Sequence, residues 1–573
     1  MVTSPAAAAA AATSSGLVTS RRSGVRPSSV TLAGSRTAAI AHTRGQRALT
    51  ACGLGLFAVL PALSALPAAA ASTPPAARAH RAAPPSLPGP ETGTAAYLEA
   101  VRHNPQLLHR FMERLPKGGD LHNHLSGAVT TEYLIQLAAE DGLCIETSTM
   151  TAVAPPCGPG TRPAAEAGTD PAFRDAIVRA WSMQDFPAGG NGHDHFFATF
   201  GKFGEVTWRH PGKLLAEVAD TAAEQNQFYL ETMTTPASDG AKKLATEVGW
   251  DDDLARLHGE LVAGGKLDRL VTQARQEADK AEAEFRATAR CGTDRAHPGC
   301  ALEVRWISQG SRGSVPEQVF TQLALGMRLA ERDDRFVAVN LVQPEDGERA
   351  LADYQLQMRM VKYLHGVYPR AHVTLHAGEL WPGLVKPEDL KFHIRQAVSV
   401  AGAERIGHGV DLVHEDNWQD TAHTMAAREI AVEVPFTSNA QILGVKGADH
   451  PFNTYRRFGV PVVLATDDPG VSRTDITRQY AYAAETYGLT YPTLKNLARA
   501  SLEYAFLPGQ SLWRGNPTRD GYRPVSACRT ARPGSPEPRP ECRRLLANSP
   551  KARAEWRQET AFLAFERAFG RGN

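Results

Sequence analysis

The sequence predicts an α/β fold, a (β/α)8 TIM barrel of eight parallel strands. Three observations carry that prediction. Short apolar runs rich in β-branched residues alternate with helical stretches such as Glu317–Arg332 and Leu351–His365, whose apolar residues recur every three or four positions. Several of those runs end in a cluster of chemically capable side chains: His122-Asn123-His124, His376-Ala377-Gly378-Glu379, His408-Gly409-Val410 and Thr466-Asp467-Asp468-Pro469. Polar clusters collected at the carboxyl ends of parallel strands mark the catalytic face of such a barrel.

The strands follow in order. Asp120–His124, after the turn Pro116-Lys117-Gly118-Gly119, is the first; residues two apart on a strand point to one side, so His122 and His124 aim two imidazoles at one spot. Phe228–Met233 is the second, Leu302–Ile307 the third and Phe336–Leu341 the fourth. His372–Leu375 and Arg405–Gly407 are the fifth and sixth, Ala431–Val434 the seventh and Pro461–Ala465 the eighth. The gaps after the first and second strands exceed what a βα unit needs, so about 144–192 and about 236–300 read as insertions. Pro508-Gly509 breaks the pattern, and a C-terminal extension of about 510–573 ends in a helix, Pro550–Phe569, that would dock through Trp556, Phe562, Phe565 and Phe569. A second pair, His193 and His195, follows the loop Gly189-Gly190-Asn191-Gly192 instead of an apolar strand and reads as ordinary structure.

Residues before about 95 are a different material, dominated by Ala, Ser, Thr, Pro and Arg. Arg44 and Arg47 precede the apolar run Ala48–Leu66, and small residues follow Pro67, which is the outline of a secretory signal. Residues 1–71 are therefore expected to be signal and leader, 72–94 a disordered Pro/Ala-rich linker, and 95–573 the barrel with its insertions. The basic leader is unusually long, which leaves open a start after Met1, and Arg21-Arg22 lies too far upstream for a twin-arginine signal. Cysteine usage points to export independently. Cys52 would leave with the signal, and six remain in three close pairs: Cys144 with Cys157, Cys291 with Cys300, and Cys528 with Cys542. An even set of neighbouring pairs suggests three local disulfides in an oxidising compartment. A net charge of +1 argues against nucleic acid as partner, and the apolar run is too short and Pro-broken for stable membrane insertion.

Three imidazoles and a carboxylate, His122, His124, His376 and Asp467, form a donor set suited to zinc, one ion per chain, with an open position for water. His408 lies one strand over from His376 and does not read as a ligand. Asp468 could cap the helix after Pro469, or serve chemistry. No GxSxG elbow supports acyl transfer, and the HxE…PCxxC pattern of zinc-dependent cytidine-type deaminases is missing from the sequence.

The motifs LHNHLSGA, HAGE, GHGV, PFTSN and TDDPG together resemble the adenosine deaminase family of metal-dependent amidohydrolases, over roughly Ala95–Gly509. The lead-in PKGGDLH and the secretory layout resemble its secreted, growth-factor-like branch. The resemblance implies hydrolytic deamination of adenosine, or a related 6-aminopurine nucleoside, to inosine and ammonia. In it Glu379 delivers a proton to the purine N1, His408 orients the attacking water, and Asp468 faces the imidazole edge of the purine. Phe196 and Phe200, on an aromatic helix with Phe203, would wall the substrate pocket; plain core packing is the alternative. Two positions depart from the family. Ser126 stands where an acidic residue often binds the ribose, and Asn340-Leu341-Val342-Gln343 replaces an Asp-Leu-x-Gly pattern whose glycine amide meets the purine. Gln343 therefore crowds the site or adds polar contacts. A modified adenosine or adenine as substrate, another amidohydrolase activity, and a nucleoside-binding or signalling barrel without catalysis stay open as alternatives. Oligomeric state is not legible.

Overall fold

The computed structural model describes residues 89–570. The signal-like segment, Cys52 and most of the expected linker lie outside the described residues. The first helix, α1 (Pro90–Val101), starts with proline in its first turn, so residues 90–94 are helical and not linker.

Eight parallel strands form one sheet in chain order: β1 (Gly118–His124), β2 (Gln227–Thr234), β3 (Glu303–Ser311), β4 (Phe336–Val342), β5 (His372–Ala377), β6 (Arg405–His408), β7 (Ala431–Val434) and β8 (Val462–Leu464). Helices α2 (Gly192–Thr207), α3 (Lys266–Thr288), α4 (Pro316–Ala330) and α5 (Glu348–Val367) lie among those connecting the strands. The seam closes just past β8, where Asp467 N–H donates to His122 O (2.8 Å) and His124 N–H to Asp467 O (3.0 Å). Barrel closure thus delivers the first and last chemical clusters to each other. β3 runs four residues beyond the expected strand because Ser308-Gln309-Gly310-Ser311, too polar for an apolar-run reading, continues the ladder toward the mouth.

Both insertions are ordered. The first carries a three-stranded antiparallel patch, Cys144–Glu146, Thr151–Val153 and Thr161–Pro163, and then the helix Pro171–Trp181. The second is helical, with Ser238–Val248 and Leu254–Val262 ahead of α3. All three cysteine pairs are disulfides, Cys144–Cys157, Cys291–Cys300 and Cys528–Cys542, with Cα atoms 5.4, 5.4 and 4.8 Å apart. No helix among the described residues is long and apolar enough to cross a membrane.

The last helix, α6 (Pro550–Phe569), is capped by Ser549, whose side chain accepts from Ala552 N–H. Its Phe565 and Phe569 meet Phe111 edge to face at ring separations of 4.9 and 5.0 Å, and Tyr97 of α1 meets Phe569 at 5.1 Å. The extension therefore holds the N-terminal helices onto the barrel. Phe565 is 5% exposed, so Phe565→Ala is expected to cost about 3–5 kcal/mol in denaturant unfolding. A loss below ~1 kcal/mol would remove this helix from the cooperative core.

Candidate active site

Local geometry at the strand ends turns the key side chains inward. Gln343, His408 and Asp467 follow or end β4, β6 and β8 with φ of +83°, +65° and +64°. Residues with a Cβ adopt that left-handed backbone at a cost of about 1–3 kcal/mol, and such positions cluster at functional sites.

His122, His124, His376 and Asp467 converge. His124 Nε2 lies 3.2 Å from His376 Nε2, and Asp467 Oδ1 lies 3.3 Å from His122 Nε2 and 3.2 Å from His124 Nε2. Tetrahedral donors about a zinc ion at roughly 2.0–2.1 Å stand about 3.3 Å apart, so these four atoms could surround one divalent cation. Each imidazole is oriented through its other nitrogen. His122 Nδ1 meets Glu433 Oε2 at 2.7 Å, His124 Nδ1 meets Gln309 Oε1 at 3.2 Å, and His376 Nδ1 meets Asn340 Oδ1 at 2.9 Å. A proton on each Nδ1 leaves each Nε2 lone pair facing the shared point. His122 Nε2 is buried without a hydrogen-bond partner, as a ligand atom awaiting a cation would be. Burial disfavours charge on His122, yet Asp467 and Glu433 on its two nitrogens push its pKa up to about 10. Asp467 Oδ2 accepts from Ser438 Oγ at 2.6 Å.

His408 stands farther back. Its Nδ1 meets Asn439 Oδ1 at 2.8 Å, and its Nε2, buried and unpartnered, is 3.9 Å from Asp467 Oδ2. Burial holds His408 neutral, with its pKa lowered to about 4. Glu379 Oε1 lies 3.7 Å from His408 Nδ1. Burial, reinforced by the nearby charges of Asp467 and Glu345, keeps the Glu379 carboxyl well above the usual range. The Asp468 side chain does not cap its short helix; its buried Oδ1 is unpartnered, and a Cβ at Gly127 would come within 1.8 Å of it.

His124, His376, Glu379, His408, Asp467 and Asp468 share one cavity of about 380 Å³, with His122 buried behind its wall. Ser126, Gln309, Ser311 and Gln343 line it as polar groups, and Phe196, Phe197, Phe200, Val342 and Ile442 as an apolar wall. Phe196, Phe197 and Phe200 line this cavity, and Phe196 is at the same time buried in the core. Phe203 turns away and packs on Trp181 (6.1 Å). Gln343 neither blocks nor vacates the site. Its left-handed backbone preserves the conformation a glycine would take, and its Oε1 is tied back to Gly313 N–H at 3.0 Å. His193 and His195 stay outside the cluster, held by Asp346 Oδ1 (2.9 Å) and Ser182 O (3.0 Å).

A buried charge network inside the barrel escaped the sequence reading. Arg405 Nε and Nη2 each approach a carboxylate oxygen at 2.5 Å, Glu433 Oε1 and Glu231 Oε2, and Glu433 also holds His122 and Thr374. Phe506 seals it from below, its N–H on Glu231 Oε1 (2.7 Å) and its ring 3.8 Å from the guanidinium. The available signal was a charge in an otherwise apolar strand, Glu231 in Phe-Tyr-Leu-Glu-Thr-Met and Glu433 in Ala-Val-Glu-Val.

A sequence profile of the family described as adenosine deaminase matches residues 212–512, just over half of the chain. The chain belongs to the adenosine deaminase family. A 137-residue stretch is 40% identical to an adenosine deaminase of Salmonella dublin, covering 24% of this chain and 38% of that enzyme. A 140-residue stretch is 37% identical to an adenosine deaminase of Escherichia coli (strain SE11), with 24% and 39% covered. The matched stretches thus span well under half the length of these curated relatives. Among solved structures, the N6-methyl-AMP deaminase of Arabidopsis thaliana aligns at 21% identity over 70% of this chain and 94% of its own, with a TM-score of 0.46.

Proposed function

We propose that this protein is an exported, zinc-dependent hydrolytic deaminase of 6-aminopurine nucleosides, with adenosine as the favoured substrate. The observation that carries the reading is one cavity lined together by His124, His376, His408, Asp467 and the buried carboxyl of Glu379. His122, His124, His376 and Asp467 would hold one zinc ion, which would supply a polarised water at neutral pH. Neutral His408, with its free Nε2, accepts a hydrogen bond from that water and orients it. Glu379, kept protonated by burial, delivers its proton to N1 of the purine as the water oxygen bonds to C6. His408 Nε2 takes one proton of the attacking water and passes it to N6, so that the C6–N6 bond breaks and ammonia leaves; the remaining hydroxyl proton returns to Glu379, and the 6-oxopurine remains. Asp468 faces the imidazole edge of the base, the Phe196 and Phe200 rings cover its faces, and Ser126 and Gln343 meet the rim of the nucleoside.

Charge separates nucleosides from nucleotides. Among the described residues lining the cavity none is Arg or Lys, whereas Glu379, Asp467 and Asp468 are buried carboxyls. A phosphate there would be desolvated without a cationic partner. Purified, zinc-loaded protein followed by ultraviolet absorbance should convert adenosine to inosine, lose that activity to a chelator, and disfavour AMP by roughly 100-fold or more in kcat/KM. Preference for AMP would overturn the nucleoside reading. No turnover of adenosine, modified adenosines or adenine by zinc-replete protein would favour the non-catalytic barrel. Export is supported by the three disulfides together with the signal-like segment.

A further inference from the structure

Two fully buried, oppositely charged side chains lie behind the turn that carries His376 and Glu379, and neither lines the cavity. Arg312 follows β3 and Glu345 follows β4; they are 0% and 1% exposed. Arg312 Nη2 donates to His376 O at 2.6 Å and to Leu341 O at 3.1 Å. Glu345 accepts from Gly378 N–H at 3.2 Å and from Glu379 N–H at 2.8 Å, and meets His393 Nδ1 at 2.5 Å. Arg312 Nη1 and Glu345 Oε1 are 3.7 Å apart.

His376 N–H donates to Asn340 Oδ1 at 3.0 Å, and the other carbonyls of the turn are taken by main chain. Ala377 O accepts from Gly409 N–H at 3.1 Å, and Gly378 O from Val410 N–H at 2.8 Å and Asp411 N–H at 3.2 Å. Gly378 itself has φ +77°, and a Cβ there would come within 2.5 Å of Asp411 Oδ1. On the β4 side the ladder ends at Val373, so three main-chain groups, from the His376 carbonyl to the Glu379 amide, depend on ionised side chains. The supports are themselves braced. Gln357 Nε2 donates to Arg312 O at 2.7 Å, Tyr354 stacks on His393 at 3.7 Å, and its hydroxyl donates to His393 O at 2.7 Å. Burying two charges is expensive, and a pair of this kind contributes little net stability against an apolar replacement. Its physical effect is geometric. Charge-assisted bonds are short and directional, and a cation on one side of the turn with an anion on the other leaves it little freedom to shift.

We propose that Arg312 and Glu345 form a buried clamp that sets the position of the Glu379 carboxyl relative to the His376 ring. The inference rests on the reading of Glu379 as proton donor. Arg312 and Glu345 are positioning residues, acting through the turn and touching neither substrate nor reacting atoms. A shift of the acid by as little as about 1 Å can cost on the order of 100-fold in rate.

The test compares the zinc-loaded parent with Glu345→Gln, which keeps shape but removes the charge. Kinetics on adenosine are read beside hydrogen exchange of the Gly378 and Glu379 amides. The expected result is a fall in kcat of about tenfold or more with KM changed less than about threefold. Exchange at those two amides should rise at least about tenfold while strands elsewhere keep parental protection. Should Glu345→Gln fail to fold, Glu345→Asp, which retains the charge but retracts it by one methylene, should show the same split. Arg312→Lys has a shorter reach and no second nitrogen to face Glu345, so it should loosen the His376 carbonyl and speed zinc release to a chelator. Parental kcat with parental exchange overturns the clamp, as does activity lost only in proportion to folded, zinc-bound protein. If the parent itself leaves adenosine untouched, the deaminase reading fails, and exchange at the two amides still decides the clamp.

Discussion

Replacing Glu379 by Gln is expected to lower kcat by about 10²–10⁴-fold while zinc content stays at the parental level. The substitution preserves shape and removes only a transferable proton, and Glu379 is outside the four-donor set, so metal retention separates loss of the acid from loss of the site. The pH profile gives a second readout. Burial raises the Glu379 pKa in the folded protein, so the active, protonated form is lost as pH rises through that value. The parent should show an alkaline limb from this group, and the Gln variant should not. Stability moves the other way. A carboxyl whose folded pKa lies above its unfolded value of about 4.3 binds more protons when folded, so it erodes stability as pH rises between the two. Glu379→Gln should therefore melt at the parental temperature or higher at alkaline pH, the signature of an acid kept for chemistry at the expense of the fold. Full turnover in this variant would remove Glu379 from the mechanism.

Glu433→Gln is expected to damage metal binding and folding together. Glu433 is the partner of His122 Nδ1 and of Arg405. Losing its charge weakens the hold on the His122 tautomer, and outer partners of ligand histidines are typically worth about 10–100-fold in metal affinity. It also leaves Arg405, 1% exposed, with Glu231 as its one remaining ionic partner. Breaking a buried pair in this way costs about 3–5 kcal/mol. Burial alone would raise the Glu433 pKa, but the Arg405 charge and the His122 hydrogen bond outweigh it and lower it to about 2. The sign follows. With a folded pKa below the unfolded one, the stabilisation is present above about 4.3 and is lost as pH falls toward about 2. That window corresponds to ~3 kcal/mol, the same scale as the broken pair. Melting curves across it should show a steep acid loss in the parent and a flatter one in Glu433→Gln. Equal zinc affinity and an unchanged acid profile would mean that Glu433 does not orient His122.

Much of the site was legible because chemistry and local pattern coincide in it. His122 and His124 are two apart on a strand, His376 and Glu379 share one strand end, and Asp467-Asp468 follows a run of Pro and Val; spacing alone placed each at a barrel mouth. The cysteine pairs were equally local, separated by 13, 9 and 14 positions. The end of β3 was missed for the complementary reason. Ser308–Ser311 looks like a turn in isolation and becomes strand only because β4 supplies its ladder.

Short-range pattern was thus enough for the eight strands and the disulfides, since alternation and nearby thiols are properties of the chain over a few residues. Which side chains stand behind the site was decided in three dimensions. Glu433 and His122 are 311 positions apart, Gln309 and His124 are 185 apart, and Arg312 reaches His376 across 64. A polar residue inside an apolar strand announces that it needs a partner, but the partner is chosen by closure of the barrel, which brings strands distant in sequence to within a hydrogen bond of one another.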